Sequence, residues 1–271
     1  MNQQSVSYEN YCQKVKVNDI EINYLKVGIG PMTLLVLPGI LGSVSKGTLK
    51  TIIWNLDHKK YTIIVWDAPG FGLSRPPDRN YAPGFFYRDA DYAISLMKIL
   101  NINKYSVLGW CFGGVTAMIV ASKAIDNVEK LIQWGAISFV TENDLKYYRS
   151  MRSNDAWPPI VIQKFFDIYG EEYFTKTWQG LVDTVENIAA NLNGDICQEA
   201  LSKIMAPTLV IHGTKDEAVD MKHPLYIQNN IKKSSLELIQ DGTHHMHISH
   251  YNQLNSLIDN FLSGNYLPHF N

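Results

Sequence analysis

The stretch GWCFGG at residues 109–114 decides the fold class of this chain. An apolar run, YSVL at 105–108, precedes it, and a run of small and apolar residues, VTAMIVASKAI at 115–125, follows it. A Gly-X-nucleophile-X-Gly turn between a strand and a helix is a nucleophile elbow, in which the glycines relieve crowding around a strained residue. The middle residue of such a turn is normally serine, so Cys111 and its neighbour Phe112 need an explanation.

Short β-rich runs alternate with helical patterns along the chain. Residues 13–28 alternate apolar and polar side chains about an Asn-Asp pair, which predicts a β-hairpin. Six further β-rich runs lie at 33–37, 61–66, 105–109, 128–135, 207–213 and 234–240, with helical patterns near 44–58, 84–101, 113–125, 222–231 and 252–263. This alternation predicts an α/β protein with a mostly parallel, doubly wound sheet covered by helices on both faces.

Residues 140–203 break the alternation, because they are helical in pattern, rich in large aromatic residues and without a strand signal. We expect them to form a helical cap, or lid, inserted into an α/β core domain made of residues 1–139 and 204–271. Such a cap either packs its aromatics into a small core of its own or covers an acyl pocket.

Charge and hydropathy exclude two classes of partner. The 24 basic and 26 acidic residues nearly balance, and no Lys/Arg block is present, so we expect no nucleic acid. The uncharged stretch 105–122 approaches the length of a membrane span, but its glycines and its strand-turn-helix pattern indicate a buried strand and helix. We therefore expect no membrane and a small-molecule substrate, handled by a monomer or weak homo-oligomer.

The cysteine count and the N-terminal stretch suggest a location. The first 19 residues have neither an apolar core nor an Arg-rich pattern, so we see no targeting segment. Cys12, Cys111 and Cys197 make an odd count, and no Asn-X-Ser/Thr acceptor occurs. Both features favour a reducing, cytoplasmic setting.

Chemistry-bearing residues follow several of the predicted strands, where ligands of parallel sheets bind. The loop LPGILGS at 37–43 follows the run at 33–37, Asp216 follows the run at 207–213, and His244 follows the run at 234–240. Together with Cys111 they give the chain order nucleophile, acid, histidine, which is the order of the α/β-hydrolase topology.

These residue types work together in nucleophilic catalysis. A thiol is a poor nucleophile until it is ionised, and His244 can accept the proton of Cys111 while a helix N-terminus favours the resulting thiolate. Asp216 would hold the imidazole of His244 in the useful tautomer and stabilise its cation. We therefore expect Cys111, Asp216 and His244 to be the catalytic residues.

Two backbone groups are candidates for the oxyanion hole. The N–H groups of Ile40 and Phe112 would bind the oxyanion of the tetrahedral intermediate, worth about 3 kcal/mol per donor in comparable sites. We expect the substrate to contact Gly39, Leu41, Trp110 and Phe112.

Structural roles are the alternative for several of these residues. Cys111 in isolation would be typical of a protein core, but its place between Gly109 and Gly113 at a strand-to-helix turn favours chemistry. The run HHMHISH at 244–250 has no matching Cys or carboxylate pair, so we expect neither a metal nor a cofactor. The other histidines of this run, His245, His247 and His250, are interpreted as surface or packing residues.

Longer segments carry a resemblance to a known family. The segments VNDIEINYLKVG, LPGILGS, WDAPGFGLSRPPDR, DADYAISLMKIL, LGWCFGG, WGA, HGTKD and DGTHHMH make the chain similar to the biphenyl hydrolase-like (valacyclovir hydrolase) family. This resemblance implies an α/β-hydrolase fold and α-amino acid ester hydrolysis by a serine-dependent triad. It puts the nucleophile at Cys111, the acid at Asp216 and the histidine at His244, and it allows a mitochondrial location.

The chain departs from this family at two adjacent positions. Cys111 replaces the nucleophilic serine, and Phe112 replaces an acidic residue that resembles an anchor for the substrate's α-ammonium group. A phenyl ring cannot pair with a cation as a carboxylate does, so we expect neutral or apolar acyl groups. Hydrolysis of esters, lactones or thioesters through an acyl-thioester intermediate is the leading hypothesis. Acyl transfer through the same intermediate and a non-catalytic ligand receptor are the alternatives.

Overall fold

The structure, a computed structural model, describes residues 11–266. The two ends, 1–10 and 267–271, lie outside the described residues, and with them part of the N-terminal stretch in which we see no targeting segment and the two ends of the predicted core domain. The described residues contain eight strands, which are β1 Cys12–Val17, β2 Ile20–Val27, β3 Met32–Leu37, β4 Tyr61–Trp66, β5 Tyr105–Trp110, β6 Val128–Trp134, β7 Thr208–Gly213 and β8 Ser234–Ile239.

The eight strands form one sheet in the order β1-β2-β4-β3-β5-β6-β7-β8. Strands β1 and β2 pair antiparallel, and β2 also pairs antiparallel with β4. All other neighbours are parallel. Strand order reverses around β3, so the chain winds in both directions from the centre of the sheet. The predicted α/β class and the mostly parallel, doubly wound sheet are therefore confirmed.

Helices cover both faces of the sheet. They are α1 Lys50–Asn55, α2 Phe85–Ile99, α3 Phe112–Lys123, α4 Glu142–Ser150, α5 Pro159–Tyr169, α6 Glu171–Asn191, α7 Gln198–Leu201, α8 Lys222–Asn230, α9 Met246–Ser249 and α10 Tyr251–Ser263. One apolar cluster contains residues of α2 and α3, and a second, separate cluster contains residues of α1 and α10. Within residues 11–266, no helix is both long enough and apolar enough to cross a bilayer.

The first helix is shorter than the pattern at 44–58 predicts. The segment before it is held in turns, because the N–H of Ser43 donates to Thr48 Oγ1 at 2.9 Å and Gly47 takes a φ of 80°. The N–H of Val44 donates to the carboxylate of Asp67 rather than to a helical carbonyl. The spacing of apolar residues in the sequence indicates which side chains are buried. These hydrogen bonds determine where α1 begins.

The buried carboxylate of Asp67 connects the segment after β3 to the loop after β4. Its oxygens accept from the backbone N–H of Val44 at 2.7 Å, from that of Leu73 at 2.8 Å and from the amide of Asn23 at 2.8 Å. Burial raises the pKa of Asp67 to about 6, although the three donors oppose this by favouring the anion. These bonds hold the loop that carries Gly39 and its neighbours.

The inserted segment, by which we mean residues 140–203, lies between β6 and β7 in sequence and contains α4 to α7 and a 3₁₀ turn at Asn154–Ala156. A buried hydrogen bond of 3.0 Å joins Asp144 on α4 to His223 on α8. The hydroxyl of Tyr169 donates to the carbonyl of Leu41 at 3.1 Å, and that of Tyr173 donates to the carbonyl of Gly70 at 2.6 Å. The inserted segment thus contacts the same loops that Asp67 connects.

Candidate active site

The turn at Cys111 is sharp and strained. Cys111 has φ 56° and ψ −127°, a conformation that residues with a side chain rarely adopt. Its N–H donates to the carbonyl of Trp134 on β6 at 3.0 Å, which holds the end of β5 in the sheet. A Cβ added at Gly109 would lie 2.4 Å from the carbonyl oxygen of Gly113, so the strand and helix approach too closely for a side chain. The glycine spacing of the elbow follows from this contact.

His244 and Asp216 form a buried pair beside the elbow. The Nδ1 atom of His244 lies 3.0 Å and 3.2 Å from the two carboxylate oxygens of Asp216. One of these oxygens also accepts from the backbone N–H groups of Ala218 and Val219, at 2.9 Å each. The side chain of Asp216 is fully buried and that of His244 is 8% exposed, so solvent screens their interaction little.

The charges at this pair shift both pKa values. Burial alone lowers the pKa of His244, but the negative charge of Cys111 and the hydrogen bond to Asp216 outweigh burial and raise it to about 10. Burial raises the pKa of Asp216, but its hydrogen bond with His244 and the charge of that ring hold it below its usual range. The imidazole therefore lies between two acidic groups and is cationic at neutral pH when the sulfur is a thiolate.

Gly135 makes room for this pair, and sequence reasoning missed its role. Its φ is +59°, and an added Cβ would lie 3.2 Å from Nδ1 and Cε1 of His244 and 3.4 Å from Asp216. Gly135 directly follows β6, so this strand end also borders the candidate site. The Gly in WGA was the available signal.

The loop after β3 passes directly against the elbow. A Cβ added at Gly39 would lie 2.9 Å from the Cβ of Cys111. Phe112 is the first residue of α3, where a backbone N–H has no partner within the helix. Gly39, Ile40 and Phe112 all line one small cavity of about 20 Å³. The two expected oxyanion donors, Ile40 and Phe112, therefore belong to segments that meet at Cys111.

Aromatic rings surround the side chain of Phe112. The ring of Phe86 on α2 meets it edge-on at 5.2 Å between centroids, and that of Tyr148 on α4 stacks on it at 6.0 Å. The ring centroid of Trp178 on α6 lies 6.1 Å from that of Tyr148. We call Phe86, Phe112, Tyr148 and Trp178 the aromatic wall. Two of its four members come from the inserted segment.

Two tyrosines of α4 were not predicted to approach Cys111. Burial raises the pKa of Tyr147 to about 12, and the charge of Cys111 is the next largest cause. Burial and then the charge of Cys111 also raise the pKa of Tyr148. The available signal was the Thr141–Asp144 capping box, which starts α4 and sets the direction of its side chains.

Leu41 and Trp110, the other two residues expected to contact substrate, do not line this small cavity. Leu41 is buried with φ 56°, and its carbonyl accepts from Tyr169. Trp110 belongs to the apolar cluster that does not contain Phe112, and its indole N–H donates to the carbonyl of His244 at 3.0 Å. Of the four residues expected to contact substrate, Gly39 and Phe112 line the small cavity.

The histidines after His244 contact neighbouring side chains of the protein. His247 is buried against Trp110, and burial lowers its pKa to about 3. His250 contacts the hydroxyl of Ser249 at 2.8 Å. In the part of the chain that the structure describes, no three or more His, Cys, Asp or Glu residues are grouped as a metal site would require.

Comparison with known proteins agrees with this architecture. Residues 33–168 match the alpha/beta hydrolase fold family. Serine hydrolase BPHL of Mus musculus is 37% identical over 249 residues, which is 92% of this chain and 85% of the mouse protein, and that of Homo sapiens is 36% identical over the same length. The structure of the meta-cleavage product hydrolase CumD from Pseudomonas fluorescens IP01 superposes with a TM-score of 0.73 at 20% identity, covering 94% of this chain and 98% of that one. This chain therefore belongs to the α/β-hydrolase family, as a hydrolase whose relatives include the BPHL serine hydrolases.

Proposed function

We propose that this hydrolase cleaves small esters, lactones or thioesters with a neutral or apolar acyl group, using Cys111 as nucleophile. The observation that carries the proposal is the position of His244. Its ring is hydrogen-bonded to the buried carboxylate of Asp216 and interacts with the sulfur of Cys111 at the strained elbow. A nucleophile, a base and a group that orients the base are the parts that covalent acyl chemistry requires.

The proposed reaction has two steps. The Cys111 thiolate attacks the carbonyl carbon, and the N–H groups of Ile40 and Phe112 stabilise the oxyanion until the C–O or C–S bond to the leaving group breaks. His244 gives its proton to the leaving group. Water then attacks the acyl thioester while His244 takes one of its protons, which releases the carboxylic acid and restores the thiolate.

Asp216 acts through His244. Its carboxylate binds Nδ1, so the other ring nitrogen, Nε2, is the one available to exchange a proton with the sulfur, the leaving group and water. The bonds from Ala218 and Val219 keep the carboxylate in place. Because both side chains are buried, the charge of Asp216 stabilises the imidazolium at each step.

The aromatic wall supports the proposed substrate class. Phe112 stands where the resembled family has an acidic residue, and the rings of Phe86 and Tyr148 enclose it. An apolar acyl group can be desolvated against these rings, whereas a substrate ammonium would lose its hydration without gaining a carboxylate partner. We further propose that the inserted segment is a lid, since it supplies Tyr148 and Trp178.

Acyl transfer is the second candidate function. The observation that favours it is the sulfur of Cys111, because a thioester is open to attack by amines and thiols as well as by water. A non-catalytic receptor is the third candidate, but a binding pocket has no use for the bonded pair of His244 and Asp216.

The first test is a panel of neutral p-nitrophenyl esters, lactones and acyl thioesters, assayed with and without an added amine. We expect turnover by the unmodified protein and a loss of at least about a thousandfold in Cys111→Ala. Cys12→Ala is the matched control and should keep its activity. Amide formation with the amine would favour acyl transfer over hydrolysis. Binding of these compounds without turnover would contradict the proposal and favour a receptor.

A second prediction concerns thiol reactivity. We expect iodoacetamide to label Cys111 faster than Cys12 and Cys197 at neutral pH, because the charge of His244 stabilises the thiolate of Cys111 while burial raises the pKa of Cys197. The comparison is made at neutral pH, where His244, with its pKa raised to about 10, is charged. Peptide mass spectrometry over time measures each rate.

Histidine variants provide the control for this labelling experiment. His244→Ala should reduce the labelling rate of Cys111 to that of an ordinary thiol and also abolish hydrolysis. His245→Ala should do neither, since its ring is not bonded to Asp216. Equal labelling of all three cysteines in the unmodified protein, or loss of reactivity in His245→Ala instead, would contradict the assignment of His244.

A third prediction concerns Phe112→Asp. This change keeps the backbone N–H and adds a carboxylate that can bond a substrate ammonium, worth about 1.5–3 kcal/mol. We expect kcat/KM for α-amino esters relative to their des-amino analogues to rise about 10- to 100-fold. The ratio within one variant is the quantity to measure, because a new anion beside the thiolate slows both substrates.

Phe112→Asn is the matched control, with the shape of Asp but no charge, and should leave the ratio unchanged. A strong preference of the unmodified protein for α-amino esters would contradict the proposed role of Phe112. Glu217, which directly follows Asp216, or Asp241, three residues before His244, would then be the candidate anchor.

A further inference from the structure

One side chain joins the elbow to the segment after β8 that carries His244, residues 240–250, which we call the histidine loop. Trp110 is the last residue of β5 and precedes Cys111 directly. Its indole N–H donates to the backbone carbonyl of His244 at 3.0 Å, and the bond is buried. The residue whose backbone leads into the candidate nucleophile thus bonds the backbone of the candidate base, 134 positions further along the chain.

The indole ring also packs against the histidines of that loop. Ring centroids lie 4.3 Å from His247, 5.3 Å from His245 and 5.4 Å from His244. Only 9% of Trp110 is exposed. The hydrogen bond holds the backbone of His244 close to the end of β5, and the ring contacts restrict movement of the loop relative to Trp110.

We propose that Trp110 is a positioning residue, which fixes the distance between the sulfur of Cys111 and the imidazole of His244. This inference rests on the proposed function of these two residues. Asp216 bonds only Nδ1 and so orients the ring, but it does not fix the backbone from which that ring extends. Other hydrogen bonds also hold this loop: the N–H of Lys215 donates to the carbonyl of Gly242 at 2.9 Å, and the hydroxyl of Thr51 donates to the carbonyl of His247, but these bonds lead to the loop of Asp216 and to α1. The hydrogen bond from Trp110 instead connects the histidine loop to the residue that directly precedes Cys111.

The neighbouring strand offers a matched comparison. Trp134 pairs with Trp110 in the register of β5 and β6, it is likewise the last residue of its strand, and it is fully buried. Its indole nitrogen has no hydrogen-bond partner among the described residues. Replacing either Trp by Phe removes a similar amount of apolar surface, but only the change at Trp110 removes a bond to the histidine loop.

The experiment compares Trp110→Phe with Trp134→Phe. We expect Trp110→Phe to lower the iodoacetamide labelling rate of Cys111 near neutral pH by about tenfold, since a buried carbonyl loses its donor and the imidazole leaves its place beside the sulfur. On an ester that the protein turns over, kcat should fall by a similar factor with little change in KM. Trp134→Phe keeps the carbonyl that bonds Cys111 and should change neither quantity more than about twofold, even if both variants lose stability in urea.

The outcomes separate this inference from the proposed function. An unmodified protein whose Cys111 is no more reactive than an ordinary thiol would contradict the proposed function itself. A reactive Cys111 with equal effects of the two Trp variants would overturn the positioning role and leave the nucleophile in place. If Trp110→Phe does not fold, site-specific replacement of its indole by benzothiophene removes the same N–H with the ring shape kept, and the same result is expected.

Discussion

The buried contact between His244 and Asp216 is the interaction on which the rest of the site depends. Burial by itself would leave the imidazole neutral, because a charged ring loses its hydration inside a protein. The carboxylate on one side and the sulfur of Cys111 on the other reverse this preference and raise the pKa of His244 to about 10. Gly135 leaves the space in which this pair fits. The proposed chemistry at Cys111 depends on this charged pair.

The fold supplies this contact by bringing separate strand ends together. Cys111, Asp216 and His244 follow β5, β7 and β8, and parallel pairing puts those ends at one edge of the sheet. The loop after β3 reaches the same edge, where hydrogen bonds with Asp67, after β4, and with Tyr169, in the inserted segment, hold it. The geometry of the site therefore depends on buried polar bonds between loops as much as on the sheet.

Sequence reasoning succeeded where the pattern is local. Alternation and apolar runs predicted all eight strands within about two residues, and the chain order of Cys111, Asp216 and His244 predicted their places after strand ends. It failed where contacts join distant positions. The bond from Trp110 to His244 and the stacking of Tyr148 on Phe112 have no periodic signature. A contact between distant positions also explains why α1 is shorter than predicted, because the N–H of Val44 donates to Asp67 instead of to a helical carbonyl.

The central claim is that Cys111 carries the acyl group during turnover. Rapid quenching of the protein with p-nitrophenyl acetate, followed by intact-protein and peptide mass spectrometry, measures this most directly. The account predicts an acetyl group on Cys111 that forms before the steady state and decays at least as fast as kcat. Turnover without an adduct, an adduct on another residue, or an adduct that forms more slowly than product would contradict it.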